Sequence, residues 1–276
     1  MAGNKRAWNG NVIASHSDIE NMDTSPDVSS IQSIFTEFRN ELDEHHDRRE
    51  RVVKASRDIT ALSKKIIFSL QRVRTVNAPI PPRIAKETDD RIKQIQELFK
   101  SIEADVSGAN AFRYHQITWG IQEYIEAISF YRYLEKKQLI TLEEVLQTLP
   151  AGIKVTEADF VLGLYDLTGE MMRFAITTMA TGRTASIKEE DKTQQSEGPM
   201  GGDAVLSDLR QLRAMFEQLN VPRGLNGWKE VDKKTEVMQA SVEKVERAVY
   251  GLLIRGTERP SGWVPDLSSA AAVESH

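Results

Sequence analysis

The chain contains no cysteine among its 276 residues, which excludes disulfides, thiolate metal sites and a cysteine nucleophile. Five histidines are all the imidazole it carries, so any chemistry falls mainly to carboxylates and hydroxyls. No apolar run approaches the ~20 residues of a membrane span. The first residues, MAGNKRAWNGN, lack the apolar stretch of a secretory leader. No excess of positive charge is present either: the net charge is −5, so polyanions are not attracted by the molecule as a whole, and a nucleic-acid site has to be a local patch. Hairpin signals and internal repeats are also missing.

What is present is helical periodicity. Residues 1–27 mix Asn, Ser, Asp and Gly without period and read as a disordered tail. From a Ser29 or Ser30 cap, a stripe of Ile31, Ile34, Phe35, Phe38 and Leu42 resumes at Val52, Val53, Ile59, Leu62, Ile66, Ile67 and Leu70. This predicts one or two long helices over about 30–74, ended by NAPIPP, since proline lacks a donor and disfavours helix before it. Further helices are expected over about 83–105, 111–137, TLEEVLQTL with Thr141 and Glu144 as a capping box, 156–181, 205–219 and 227–255. A mobile loop is expected over 184–204 and a second disordered tail over 261–276. The fold class is all-α, about seven helices in an elongated bundle spanning 28–260.

Two segments carry possible chemistry. In GIQEYIEAISFYRYLEKK, Ile117, Ile121, Tyr124, Ile125, Ile128 and Tyr131 form a core stripe. A second line, Trp119, Glu123, Glu126, Phe130, sets two carboxylates between two aromatics. In DFVLGLYDLTGEMMRFAITTM, Phe160, Leu164, Leu167, Met171, Phe174 and Ala175 face the core. Asp159, Asp166, Glu170, Arg173 and Thr177 share the other face. Asp166 and Glu170, one turn apart, repel by about 0.2–0.5 kcal/mol, and Gly169 costs up to about 1 kcal/mol relative to alanine. A divalent cation such as Mg²⁺, which takes hard oxygen ligands, would offset the repulsion if the two carboxylate pairs converge, and would activate water against a phosphodiester. Solvated faces and salt bridges such as Glu170 with Arg173 explain the same spacing.

The basic run from His45 and His46 through Arg48, Arg49, Arg51, Lys54, Arg57, Lys64, Lys65, Arg72 and Arg74 offers a positive stripe for a phosphate backbone, although Asp43, Glu44, Asp47, Glu50 and Asp58 interleave. His115 stands alone and reads as structural, or as an RNA contact. The C-terminal helices, with Trp228, Tyr250, Leu252, Leu253 and Ile254, carry more apolar surface than one bundle face covers, which marks a partner surface.

The blocks FRNELDEHHDRRERVVKASRDITALSKKIIF, GIQEYIEAISF, DFVLGLYDLTGEMMR and VEKVERAVYGLLIRGTE, in this order, resemble the translin family. Within it they are similar to the branch that accompanies translin rather than to translin itself, over most of residues 30–258. The resemblance implies an all-α subunit that assembles with translin into a closed hetero-oligomeric shell. It implies a Mg²⁺-dependent endoribonuclease, with Mn²⁺ as a substitute, acting on single-stranded RNA in silencing or tRNA-fragment processing, in cytoplasm and nucleus. Sequence-specific DNA binding and membrane association are not expected. By motif it implies Glu123, Glu126, Asp166 and Glu170 as the catalytic, metal-holding carboxylates, and Lys64 and Arg173 as RNA-binding residues. The rival reading is a non-catalytic RNA-binding or scaffold subunit. A redox metal bundle is disfavoured because no Glu-x-x-His pair accompanies the carboxylates. Two features depart from the family's pattern: the Arg183–Asp203 segment is longer than usual, and only Lys5-Arg6 stands where a stronger basic nuclear signal is expected.

Overall fold

A computed structural model describes residues 26–186, 201–221 and 228–258, with side chains at the ends of several helices (26–30, 181–186, 201–203 and 253–258) left out. The described residues form eight α-helices and no strand: α1 (Pro26–Leu70), α2 (Pro82–Val106), α3 (Asn110–Arg113), α4 (Ile117–Lys136), α5 (Leu142–Gln147), α6 (Glu157–Ser186), α7 (Gly201–Glu217) and α8 (Val231–Glu258). The all-α expectation holds, with one more helix than anticipated because the segment 111–137 is interrupted. Tyr114 leaves helical geometry (φ −108°, ψ 56°), which lets both Tyr114 and Ile117 be buried on the two sides of the break. Periodicity cannot register so short an interruption when every residue in it is compatible with helix.

The remaining boundaries differ by a turn or so. The first helix begins at Pro26, ahead of the expected serine cap, and stops at Leu70. The chain then runs without regular structure through Asn77, in the left-handed region (φ 58°), to Pro82, which opens α2 at a position where its missing N–H costs nothing. Thr141 and Glu144 form the expected capping box. Thr156 and Asp159 cap α6 reciprocally, Asp159 Oδ2 accepting from the Thr156 amide at 3.2 Å and the Asp159 amide donating to Thr156 Oγ1 at 3.1 Å. Helix α6 continues to Ser186 and α7 begins at Gly201. Residues 187–200 of the anticipated loop, the first 25 residues and the tail from 259 lie outside the described residues.

The chain divides into two compact units, one up to Glu50 and one from Arg51 onward, α1 belonging to both. In the first, the stripe expected to be core is exposed: Phe35, Phe38 and Leu42 are 66%, 55% and 68% accessible. In the second, Val52, Ile59, Ile66 and Leu70 continue the stripe and are fully buried. Around them Phe99, Tyr124, Phe130, Leu134, Leu167 and Phe174 fill the core, with Phe130 edge-on to Phe174 at 6.2 Å between centroids. Trp228 and Leu252, expected on a partner surface, pack against this core and are half-buried; Tyr250 is exposed, and the side chains of Leu253 and Ile254 lie outside the described residues.

Candidate functional site

Two glycines set how closely α4 can approach its neighbours. A Cβ on Gly120 would stand 3.1–3.3 Å from Ser56 of α1, and one on Gly163 would stand 2.8 Å from Ile125 Cγ2 and 3.0 Å from the Gln122 carbonyl of α4. Ser56 Oγ donates to the Gln116 carbonyl at 2.8 Å and accepts from the Gly120 amide at 3.2 Å, fixing the start of α4 to α1. With α6 held close through Gly163, the Glu123/Glu126 pair of α4 meets the Asp166/Glu170 pair of α6.

Burial deepens along the line Trp119, Glu123, Glu126, Phe130. Trp119 is exposed and Phe130 fully enclosed, so this line is not a solvated face but a descent from the surface into the core. Glu123 is partly buried and its Oε1 lies 3.3 Å from Lys64 Nζ. Burial raises its pKa, opposed by the Lys64 ammonium and reinforced by Asp166. Glu126 is 8% accessible and, among the described residues, makes no hydrogen bond or ion pair. Burial, then the negative charge of Asp166, Glu123 and Glu170, pushes its pKa up to about 9, against a smaller opposing effect of the Lys234 ammonium.

Asp166 pairs with Lys234 of α8 through a short charge-assisted contact; burial raises its pKa and Lys234 opposes the rise. Glu170 is buried, its Oε2 accepting from Gln71 Nε2 at 2.8 Å and its Oε1 lying 3.3 Å from Arg173 Nε. Gln71 also donates to the Glu170 backbone carbonyl at 2.9 Å.

The four sequence-derived carboxylates are thus brought together, and so are Lys64 and Arg173, each exposed and each paired to one of the four. Sequence reasoning missed Lys234 and Gln71. No local pattern marks either, because each reaches the site from another helix or from the turn after α1. It also placed Asp159 on the same face as Asp166, whereas Asp159 caps its helix and accepts from Gln122 at 3.1 Å. His115 is exposed in the break before α4.

The donor set suits a hard divalent cation: oxygen ligands only, on two helices, with one buried carboxylate that forms no direct ion pair among the described residues. As the side chains stand, no three acidic or imidazole groups among the described residues close round a single point. Two ammonium groups, Lys64 and Lys234, occupy the flanks instead. Holding a cation requires Glu123 and Asp166 to exchange these partners for it.

A model of the Translin family matches residues 47–256. Translin-associated protein X of Rattus norvegicus is 32% identical over 266 residues, covering 87% of this chain and 84% of that protein. Translin of Mus musculus is 23% identical over 237 residues, covering 82% and 94%. Among solved structures, a crystal structure of apo-NeC3PO superposes with a TM-score of 0.57 at 16% identity, covering 83% of this chain and 98% of that one, which is a likeness of fold.

Proposed function

The chain belongs to the translin family, and on that premise we propose that it is the catalytic subunit of a divalent-cation-dependent endoribonuclease that cleaves single-stranded RNA in a complex with translin. The observation that carries the reading is the gathering of Glu123, Glu126, Asp166 and Glu170, with Glu126 buried, without a hydrogen bond or ion pair of its own among the described residues, and under the negative charge of the other three. A buried carboxylate that neither pairs nor hydrogen-bonds is costly, and a cation at the cluster removes that cost. Support for the partner comes from the greater identity to a protein named for its association with translin than to translin itself.

Glu123, Glu126, Asp166 and Glu170 would hold Mg²⁺. When bound, the ion lowers the pKa of a coordinated water and neutralises charge on the phosphodiester, which allows hydrolysis without histidine or cysteine. The chain's own residues supply the rest. Gln71 fixes the rotamer of Glu170 through two hydrogen bonds. Lys234, anchored to the Leu162 carbonyl at 3.4 Å, sets the position of Asp166. Lys64 is exposed beyond its Glu123 contact, so its ammonium would be free to meet a phosphate were Glu123 to hold the ion. Arg173, two-thirds exposed, adds a second positive group on the α6 side.

A non-catalytic scaffold is the second reading, favoured by the ion pairs of Lys64 and Lys234, which neutralise two of the four carboxylates without any cation. The two readings separate in a ribonuclease assay of the complex co-purified with translin, on a single-stranded oligoribonucleotide with Mg²⁺ or EDTA. Catalysis predicts cleavage with Mg²⁺ that is lost in EDTA and in Glu123→Ala. Intact complex that binds RNA and never cuts it establishes the scaffold.

A further inference from the structure

Lys64, Phe68 and Gln71 follow one another at i, i+4 and i+7 along the end of α1 and the turn after it, and therefore share a helix face. The two outer members both touch site carboxylates, Lys64 reaching Glu123 and Gln71 reaching Glu170. Phe68, between them, accordingly lies at the mouth of the carboxylate cluster, yet it is 73% exposed and is the most accessible large apolar side chain described.

On the neighbouring helix Trp119 lies one turn before Glu123 and is 66% exposed. Contacts of Ser56 with Gln116 and Gly120, and of Lys64 with Glu123, show that α1 and α4 run in the same direction. Phe68 is therefore level with about residue 127 of α4, roughly 12 Å along the axis from Trp119 at 1.5 Å per residue. One exposed aromatic face, Trp119, stands a turn before Glu123, and the other, Phe68, stands beside the cluster between the levels of Glu123 and Glu170. Exposed Arg57, Lys65 and Arg72 lie on the same side of the α1 segment as Phe68 and form no ion pair among the described residues. Isolated exposed aromatics are unremarkable. A pair that adjoins a cluster of catalytic type, next to unpaired cations, is the combination single-stranded nucleic acid requires: π-faces for bases and positive charge for the backbone.

We infer that Phe68 and Trp119 are base-stacking platforms that hold the two nucleobases on either side of the phosphate presented to the carboxylate cluster. This rests on the ribonuclease reading and adds to it a substrate requirement: unpaired bases splayed apart at the cut, with no need for a particular sequence, since every base offers a π-face. Duplex RNA, whose bases remain stacked on each other, cannot use the platforms.

The test is equilibrium binding of a single-stranded oligouridylate, and of the same strand with every base removed, to the complex with translin carrying wild-type chain, Phe68→Ala, Trp119→Ala or both. Each single variant should weaken binding of the normal strand by roughly 5- to 100-fold. Neither should alter the salt slope, whereas Lys64→Ala should make it shallower by about 0.7. The abasic strand should bind the wild type and the double variant alike, and Phe68→Trp should retain affinity. Wild-type affinity in both alanine variants, or equal binding of the normal and abasic strands by the wild type, overturns the platforms. Stacking-dependent binding without cleavage would sustain them and remove the ribonuclease reading instead. Absence of any binding to the wild-type complex would remove both.

Discussion

Replacing Glu126 by glutamine should make the protein more stable at neutral pH while abolishing its chemistry. An ordinary glutamate titrates at 4.5, and Glu126 is pushed up to about 9. Between these values the folded chain holds a proton that the unfolded chain does not, so the group's contribution to stability is fully present below pH 4.5 and is lost as pH rises through the folded value. At 1.36 kcal/mol per pH unit, holding that proton at pH 7 costs about 3 kcal/mol. Glutamine matches the protonated carboxyl in shape and cannot ionise, so it removes the cost. Unpaired amide hydrogens at the same buried place return about 1 kcal/mol or more of it. A net gain of about 1–2 kcal/mol corresponds to a rise of roughly 2–8 °C in Tm for a domain of this size. Thermal unfolding in EDTA from pH 5 to 8.5 should show the wild type and variant converging at the acid end and separating as pH rises. Mg²⁺ should narrow the gap by stabilising only the wild type. A variant destabilised at every pH, or curves that stay parallel, would refute the placement of Glu126 as a buried acid whose ionised form is disfavoured.

The same geometry makes further predictions. Gly163→Ala, whose Cβ would meet Ile125 and the Gln122 carbonyl, should cost about 1–3 kcal/mol and lower Mg²⁺ affinity by moving α6 away from α4. Gly169→Ala, with nothing within 4 Å of its Cβ, should stabilise the helix by up to about 1 kcal/mol; urea denaturation of both checks the contrast. Lys64→Ala and Arg173→Ala should weaken RNA binding and flatten its salt dependence, and unchanged slopes would remove them from the RNA path. Lys234→Met should leave Asp166 more readily protonated, because the ammonium that opposes the burial shift is gone. The acid limb of Mg²⁺ binding, measured by calorimetry, should move to higher pH, and an unmoved limb would deny Lys234 that role.

The helices were legible because their apolar positions repeat, and two of their starts because Thr141–Glu144 and Thr156–Asp159 are capping pairs that act within a single turn. The site was half legible. Glu123 with Glu126, and Asp166 with Glu170, announce themselves as carboxylates sharing a helix face. That the two faces meet depends on Gly163 and Gly120, whose role is to be small against a particular neighbour, and a glycine inside a helix does not name its neighbour. Lys234 lies 68 residues from Asp166, in a stretch whose local pattern is that of any amphipathic helix. The exposure of Phe35, Phe38 and Leu42 was illegible for the opposite reason: an apolar stripe has the same period whether its own chain covers it or not.

The most direct measurement is the chemistry of the ends. Single-stranded RNA cut by the complex with translin should carry 5′-phosphate and 3′-hydroxyl termini in Mg²⁺, because the proposed reaction takes water as its nucleophile and does not need the 2′-hydroxyl. No cleavage should survive EDTA or Asp166→Ala. Products ending in 2′,3′-cyclic phosphate, formed in the presence of chelator and lost in His115→Ala, would contradict the carboxylate site and assign the reaction to an imidazole.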